Sequence, residues 1–250
     1  MWSVPKASGF PTALATGDDG CALGLGNVEL DATDLFYIRG LSVVRLPKTG
    51  GVPEPLGTGG AVALASDRDS VYYWLDLFDN AVKTAPKRGG AEQTLASIEI
   101  TSYRRLTASG GYLYWMQPNA IARISTSAPF PAAVSALSVA RSSPDDFVVT
   151  DKSIFFVSTG EDLVGSLALA DGALSLPAPA EARPDVITHD NSNRYWVNTG
   201  DQAEIRKMSI TGGTPSTIAR LSTTSSVGRI IADATHVYWA EGRTLMRAPK

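Results

Sequence analysis

"DATHVYW", residues 233–239, contains the pattern that decides the fold of this chain. An aspartate opens the stretch, and a β-branched residue followed by two aromatic residues closes it. Related stretches occur at 31–37 (DATDLFY) and 67–74 (DRDSVYYW). A pattern that returns within one chain indicates structural repeats, so the interval between copies is the first quantity to establish.

The aromatic pair recurs along the whole chain at intervals of roughly 40 residues. A short basic and apolar segment follows most copies, as in VVRLPK (43–48) and LMRAPK (245–250), and a Gly-Gly pair often comes next, as at 89–90. Six copies predict six repeated units. Their aromatic pairs are Phe36-Tyr37, Tyr73-Trp74, Tyr114-Trp115, Phe155-Phe156, Tyr195-Trp196 and Tyr238-Trp239.

Each unit has the features of four short strands separated by turns. Aspartate favours the first turn, because its side chain bonds nearby backbone N–H groups. The valine and aromatic run is typical of a strand, and the glycine pair is typical of a tight hairpin. No segment carries helical periodicity over three turns. Units of this kind and length predict an all-β, six-bladed β-propeller of four-stranded antiparallel blades, formed by 1–250 as a single domain.

The D-x-x-x-V-Y-W core followed by a Gly-Gly turn resembles the six-bladed YWTD-type propellers. It also resembles, more closely than the YWTD type, bacterial secreted proteins that carry VYW, MRVP and GGTP repeats. The resemblance covers nearly the whole chain and implies the propeller fold. In YWTD propellers an aspartate lies two places after the tryptophan, and here only Asp76 keeps that acid. The six residues at this place are Arg39, Asp76, Gln117, Ser158, Asn198 and Glu241.

The last copy ends at Lys250, where the other units turn into a fourth strand. The missing strand is predicted at the other end of the chain, because PKASGFPTALAT (5–16) resembles PKTGGVPEPLGT (47–58). We therefore expect residues 9–16 to pair antiparallel with 243–249 and to complete the last blade. Residues 1–8 have no place in this scheme and are expected either to be frayed or to be the remnant of a longer repeat array. Such closure removes exposed sheet edges.

Composition excludes several classes of function. The net charge of −3 lacks the basic excess of a nucleic-acid-binding protein. No apolar run approaches the roughly 18 residues that cross a bilayer, and the N-terminus lacks the apolar stretch of a signal peptide. A single cysteine, Cys21, excludes an internal disulfide and a multi-cysteine zinc site. We expect no cofactor and no metal.

The sequence also offers no catalytic set. Neither histidine, His189 or His236, is near Cys21 in sequence, and both belong to the repeated turns, where a structural role is favoured. His189 next to Asp190 resembles half of a catalytic pair, but no serine or cysteine in a nucleophile-elbow context accompanies it. The sequence therefore favours a protein without catalytic residues.

The charged residues at the predicted starts of the inner strands are the candidate binding site. Loops between the second and third strands supply a polar rim beside them. Solvated charges without a ligand are the alternative interpretation. The four candidates at the channel mouth are Arg105, Asp146, Asp185 and Arg229, and the rim candidates are Asp76, Gln117, Asn198 and Glu241.

Three functions fit these features. The first is a non-catalytic binding or scaffold propeller that recognises a peptide, a protein or a small anionic ligand at the mouth. The second is a calcium-dependent six-bladed hydrolase or lactonase, which the two arginines disfavour because they repel a divalent cation. The third is a structural repeat module of a larger extracellular protein. Few charges and many small residues, together with the resemblance, favour an extracytoplasmic bacterial protein whose leader is absent from this sequence, and a cytoplasmic protein is the alternative. We expect the protein to be a monomer.

Overall fold

Every regular element that the structure describes is a β-strand. The computed structural model describes residues 2–3, 12–14, 28–57, 59–75, 80–97, 105–127, 129–139, 144–221, 227–242 and 244–250. The chain divides into two compact units. Unit 1 is Met1–Tyr114 with Ile124–Val134, and unit 2 is Trp115–Arg123 with Ser135–Lys250. Over these described ranges, no helix is long and apolar enough to cross a membrane.

Unit 1 contains a short strand pair and two complete four-stranded sheets, called blades 1 and 2. The short pair is β1 (Trp2–Ser3) with β2 (Thr12–Ala13). Blade 1 has the order β3 (Glu29–Leu30), β4 (Asp34–Arg39), β5 (Ser42–Pro47) and β6 (Glu54–Gly57). Blade 2 has the order β7 (Ala61–Ser66), β8 (Ser70–Leu75), β9 (Ala81–Pro86) and β10 (Gln93–Ser97).

Blade 3 has the order β11 (Leu106–Ser109), β12 (Tyr112–Gln117), β13 (Ala120–Ser125) and β14 (Val134–Ser138), and the division between the units passes through it. Unit 2 contains three further sheets. Blade 4 has the order β15 (Asp146–Val149), β16 (Ser153–Ser158), β17 (Leu163–Ala168) and β18 (Leu174–Pro179). Blade 5 has the order β19 (Pro184–His189), β20 (Asn193–Asn198), β21 (Glu204–Ser209) and β22 (Ser216–Arg220). Blade 6 has the order β23 (Ile230–Ala232), β24 (His236–Glu241) and β25 (Thr244–Pro249).

The predicted fold class is confirmed: the chain is all-β, and its antiparallel sheets are those of a six-bladed β-propeller. The Gly-Gly turns also lie where the repeat predicts them, between third and fourth strands. Gly89 and Gly90, for example, join β9 to β10 with φ of +85° and +142°. Glycine adopts these values without the steric cost that a side chain would bring.

The aromatic pair occupies the third and fourth positions of the second strand in every blade. In blade 2 this pair is Tyr72-Tyr73, so the predicted pair Tyr73-Trp74 is one residue too late. Three aromatic residues, Tyr72, Tyr73 and Trp74, follow Val71. Taking the tryptophan as the second member of the pair, as in other blades, therefore shifts the predicted pair by one residue. The turn sets the register, because the Asp67 carboxylate accepts the Ser70 N–H at 2.9 Å and so fixes where β8 begins.

In blades 1, 2, 5 and 6 an aspartate before the second strand organises the turn from the first strand. In blade 5, Asp190 Oδ1 accepts the N–H groups of Ser192 and Asn193, both at 2.7 Å. Asp31, Asp67 and Asp233 accept the N–H groups two and three residues later in the same way. In blade 4 this place belongs to Thr150, whose hydroxyl accepts the Ser153 N–H at 3.0 Å. The acid of the repeat is therefore absent from this turn, and the adjacent Asp151 is exposed.

The predicted closing strand is described in part. Within the range 9–16, the structure describes residues 12–14, and there β2 pairs with β1. Leu14 is half-buried, packs against the core of blade 1, and accepts the Gly51 N–H at 3.2 Å through its carbonyl. The other residues of 9–16, and most of the expected frayed segment 1–8, lie outside the described residues. Pairing of 9–16 with 243–249 stays a prediction.

The core lies between the faces of successive blades. Between blades 4 and 5, Phe155 and Val157 pack against Ile187, Trp196 and Met208, all of which are buried. Within blade 4, the backbone of Gly165 lies so close to the ring of Phe156 that an added Cβ would overlap it. Packing at this density is sensitive to small changes in side-chain volume.

Candidate functional site

The four residues predicted at the channel mouth lie at the starts of inner strands. Asp146 is the first residue of β15, and Asp185 is the second residue of β19. Arg105 and Arg229 come directly before β11 and β23. Arg105 belongs to unit 1 and the other three residues belong to unit 2. Convergence of all four side chains therefore stays a prediction.

Asp146 is a buried structural acceptor. Asp146 is only 5% exposed, and its Oδ2 accepts the backbone N–H of Ile187 in the next blade at 2.9 Å. The contact joins β15 to β19, which are neighbouring inner strands. A buried carboxylate needs such donors to replace lost hydration. Asp146 thus links two blades.

The preceding residue has a similar role. Asp145 Oδ2 accepts the Thr159 N–H at 2.7 Å, and the Thr159 hydroxyl donates to the Pro184 carbonyl at 2.7 Å. By contrast, Asp185 is half-buried and Arg229 is exposed. At this end of unit 2, Asp145 and Asp146 support the blade junction, while Arg229 is exposed to solvent.

The rim candidates differ in their surroundings. Gln117 and Glu241 are half-buried at the ends of β12 and β24, and Glu241 accepts the Trp239 Nε1–H at 3.4 Å. Asp76 lies outside the described residues. Strand alignment moreover shows that Leu75, rather than Asp76, is the blade 2 residue at this repeat position. Cys21, considered above as a nucleophile, also lies outside the described residues.

Asn198 is buried rather than exposed, because it belongs to a polar cluster within blade 5. It is 3% exposed, and its Nδ2 donates to Glu181 Oε2 at 2.8 Å. The same carboxylate oxygen accepts the Trp196 Nε1–H at 3.1 Å and lies 3.4 Å from the Arg206 Nε. Nothing in the repeat indicated Glu181, since it lies in the connection between two blades.

A second set of polar residues, which the sequence analysis did not identify, links successive blades at the aspartate turns. In blade 5 the Asp190 Oδ2 accepts the Tyr195 hydroxyl at 2.8 Å and pairs with the Lys250 ammonium of blade 6. The ammonium also lies 5.4 Å from the Tyr195 ring centroid. Burial alone would raise the pKa of Asp190, but the Lys250 ion pair and the turn N–H groups hold that pKa well below its usual range.

The same arrangement recurs between blades 1 and 2. Lys87, which is 6% exposed, places its ammonium 4.7 Å from the Phe36 ring centroid and 3.5 Å from Asp31 Oδ2. In both cases the earlier blade supplies an acid and an aromatic ring, and the later blade supplies the cation. We call this arrangement the junction triad.

At the junction of blades 2 and 3 the cation is replaced. Thr126 stands where the lysine would be, and it contacts the Tyr72 hydroxyl. The same hydroxyl donates to Asp67 Oδ2 at 2.6 Å. Burial, together with the hydrogen bond to Asp67, raises the pKa of Tyr72 to about 12. Among the described residues, the donors to Asp67 are two N–H groups and the Tyr72 hydroxyl, with no cation.

Comparison with known proteins supports the fold and leaves the activity open. No family model and no curated protein matches the chain. Among solved structures, streptogramin B lyase matches with a TM-score of 0.70 and 13% identity, over 91% of this chain and 83% of the other. The nidogen/laminin complex matches with a TM-score of 0.56 and 16% identity, over 82% and 83% of the two chains.

A third match is the extracellular domain of a hybrid two-component system from B. thetaiotaomicron. Its TM-score is 0.70 and its identity 10%; the match covers 99% of this chain and 35% of that protein. The fold is that of a six-bladed propeller, and the predicted likeness to YWTD-type propellers is confirmed for the fold. The similar structures include an enzyme, a protein-binding complex and extracellular domains, so the fold alone does not select a function.

Proposed function

We propose that this chain is a non-catalytic binding propeller that recognises a peptide, a protein or a small anionic ligand at the starts of its inner strands. The observation that supports the proposal is the contrast between Asp146 and Arg229. The Asp146 carboxylate is buried and bonded to the Ile187 N–H, whereas Arg229 is exposed. Arginine at this surface offers a planar donor pair that fits a carboxylate.

The same contrast disfavours the calcium-dependent hydrolase or lactonase. Calcium requires six to eight oxygen ligands, several of them anionic. Asp145 and Asp146 already accept backbone N–H groups, and these bonds hold their oxygens at the blade junction. A structural module of a larger protein is the third hypothesis, and it predicts no ligand at all.

We further propose that the protein acts outside the cytoplasm as a monomer. The similar structures include an extracellular domain and a complex of nidogen with laminin, which supports an extracytoplasmic location and a protein or peptide partner. The bacterial origin proposed from the VYW and Gly-Gly repeats rests on the sequence pattern.

The test compares two arginine variants. An acidic peptide with a free C-terminal carboxylate is titrated against the native chain, Arg105→Ala/Arg229→Ala, and the control Arg220→Ala, whose arginine is exposed on the outer strand of blade 5. Each arginine that makes charged hydrogen bonds should contribute about 1.5–3 kcal/mol. We expect calorimetry to show binding to the native chain and to Arg220→Ala, and a loss of at least about 100-fold in the double variant. Equal binding by all three proteins would refute the site.

A further inference from the structure

Arg194 of blade 5 is a buried cation at the junction with blade 4. It is 1% exposed, and its guanidinium carbon lies 4.6 Å from the Phe155 ring centroid. Its position relative to the ring matches that of Lys87 over Phe36 and Lys250 over Tyr195. The cation comes from β20, because Ile210 occupies the lysine position after β21.

The acid of the junction triad is missing beside Arg194. Thr150 occupies the aspartate position, and its hydroxyl donates to the Ser153 carbonyl at 2.9 Å and accepts the Ser153 N–H. Within the described part of the chain, Arg194 forms no ion pair, and its buried Nε has no hydrogen-bond partner. Burial lowers the pKa of Arg194 to about 10, so the group is still charged at neutral pH. A buried, unpaired guanidinium is strongly unfavourable, and a counter-ion would relieve this cost.

A cleft of about 630 Å³ lies between the turns of blades 4 and 5, and its lining includes Phe155, whose ring Arg194 covers, but not Arg194 itself. Thr150 lines it where the missing carboxylate would lie, and Phe155, Val149 and Ile210 give it apolar walls. Its volume is in the range of small-molecule sites. The cleft lies at the Val149 end of β15, away from Asp146, and is therefore separate from the site proposed above.

None of the charged residues that line the cleft pairs with the buried Arg194. Asp190 lines the cleft, but Lys250 neutralises it. Asp151 and Lys152 are adjacent, exposed and of opposite sign. His189 contacts the Asp190 carbonyl through Nδ1 at 3.2 Å. The remaining positive charge is that of the buried guanidinium.

We propose that this cleft binds a small carboxylate with an apolar body, whose carboxylate takes the place of the missing aspartate beside Arg194. The apolar part of the ligand packs on Phe155 and Ile210. The proposal concerns a different set of residues from the inner-strand site, so either can fail without the other.

Two substitutions that should preserve the fold test whether ligand binding requires the unpaired charge of Arg194. Leu, Val or Ile occupies the Arg194 position in the other five second strands (Leu35, Val71, Leu113, Ile154 and Val237), so Arg194→Leu should fold. Thr150→Asp restores the acid of the junction triad, because an aspartate at this turn accepts the same N–H groups in four other blades. Thr150→Asn is the matched neutral control.

The probes are benzoate, its uncharged analogue benzamide, and inorganic phosphate, each at matched ionic strength in thermal-shift and calorimetric titrations. We expect benzoate to raise the melting temperature of the native chain and of Thr150→Asn by roughly 2–6 °C near saturation. Arg194→Leu and Thr150→Asp should bind benzoate at least about tenfold more weakly, and Thr150→Asp should melt at a higher temperature without ligand. No response to benzoate, an equal response to benzamide, a response to phosphate alone, or benzoate binding that survives in both variants would each overturn the proposal.

Discussion

The junction triad of blades 5 and 6 predicts a large loss of stability when its acid is removed. In Asp190→Ala the side chain no longer accepts the N–H groups of Ser192 and Asn193, the Tyr195 hydroxyl or the Lys250 ammonium. The three hydrogen bonds to neutral donors contribute about 1 kcal/mol each. The ion pair adds more, because Lys250 then loses its partner while its side chain is only 13% exposed. We expect the free energy of unfolding to fall by about 3–5 kcal/mol.

The same carboxylate gives the prediction a pH dependence. The pKa of Asp190 in the folded chain is below its ordinary value of 3.8, so the folded state holds the charged form more strongly than the unfolded state does. Its contribution is complete above the unfolded pKa and is lost as the pH falls through the folded pKa. The stability difference between the native chain and Asp190→Ala should therefore be constant from about pH 5 to 7 and should shrink below about pH 4.

Urea unfolding followed by tryptophan fluorescence at pH 7 and pH 3 measures both effects. Lys250→Met and the double variant Asp190→Ala/Lys250→Met complete a double-mutant cycle, in which the coupling between the two charges should be about 1–3 kcal/mol. A native chain and an Asp190→Ala variant that unfold at the same urea concentration at pH 7 would refute the reasoning. So would a difference that grows as the pH is lowered.

Three further predictions concern other parts of the fold. Asp146→Ala should destabilise the chain by about 1–3 kcal/mol, because the Ile187 N–H is left buried without an acceptor; calcium-dependent turnover that this variant abolishes would contradict the proposed function instead. Gly165→Ala should lower the free energy of unfolding by about 1–3 kcal/mol, since its Cβ would overlap the Phe156 ring, and an unchanged urea midpoint would contradict this packing. Deletion of residues 1–16 should lower the melting temperature and promote association through an open edge; an unchanged melting curve and a monomeric elution volume would contradict the predicted closure.

The repeat made the fold predictable, because the aromatic strand signal occurs six times at similar spacing and turn aspartates or Gly-Gly pairs accompany most copies. The sequence predicted the strand register less reliably where the aromatic pair could be placed in more than one way. In blade 2 three consecutive aromatic residues gave two possible pairs, and the Asp67 turn, rather than the tryptophan, defines the correct one. Counting from the turn aspartate would also have moved the rim position from Asp76 to Leu75.

Contacts between repeats were less accessible to sequence analysis. Lys87 and Asp31 are 56 residues apart, and Lys250 and Asp190 are 60 apart. No local pattern joins residues at such distances, and their pairing depends on how one blade packs on the next. Arg194 did leave a signal in the sequence, because it is the single charged residue at the second position of the six second strands. Superposing the repeats, rather than reading each one in turn, would have found it.

The junction triad has a direction, since in both examples the acid and the ring belong to the earlier blade and the cation to the later one. Each blade that takes part therefore presents unlike faces to its two neighbours. Copies of such a blade can follow one another in one orientation only. A duplicated or transplanted blade would fit only where the neighbour on each side offers the complementary half. The two altered junctions show two ways in which such a pair can diverge: at blades 4 and 5 both Asp and Lys are replaced, by Thr150 and Ile210, whereas at blades 2 and 3 only the lysine is replaced, by Thr126, and donors within blade 2 satisfy Asp67.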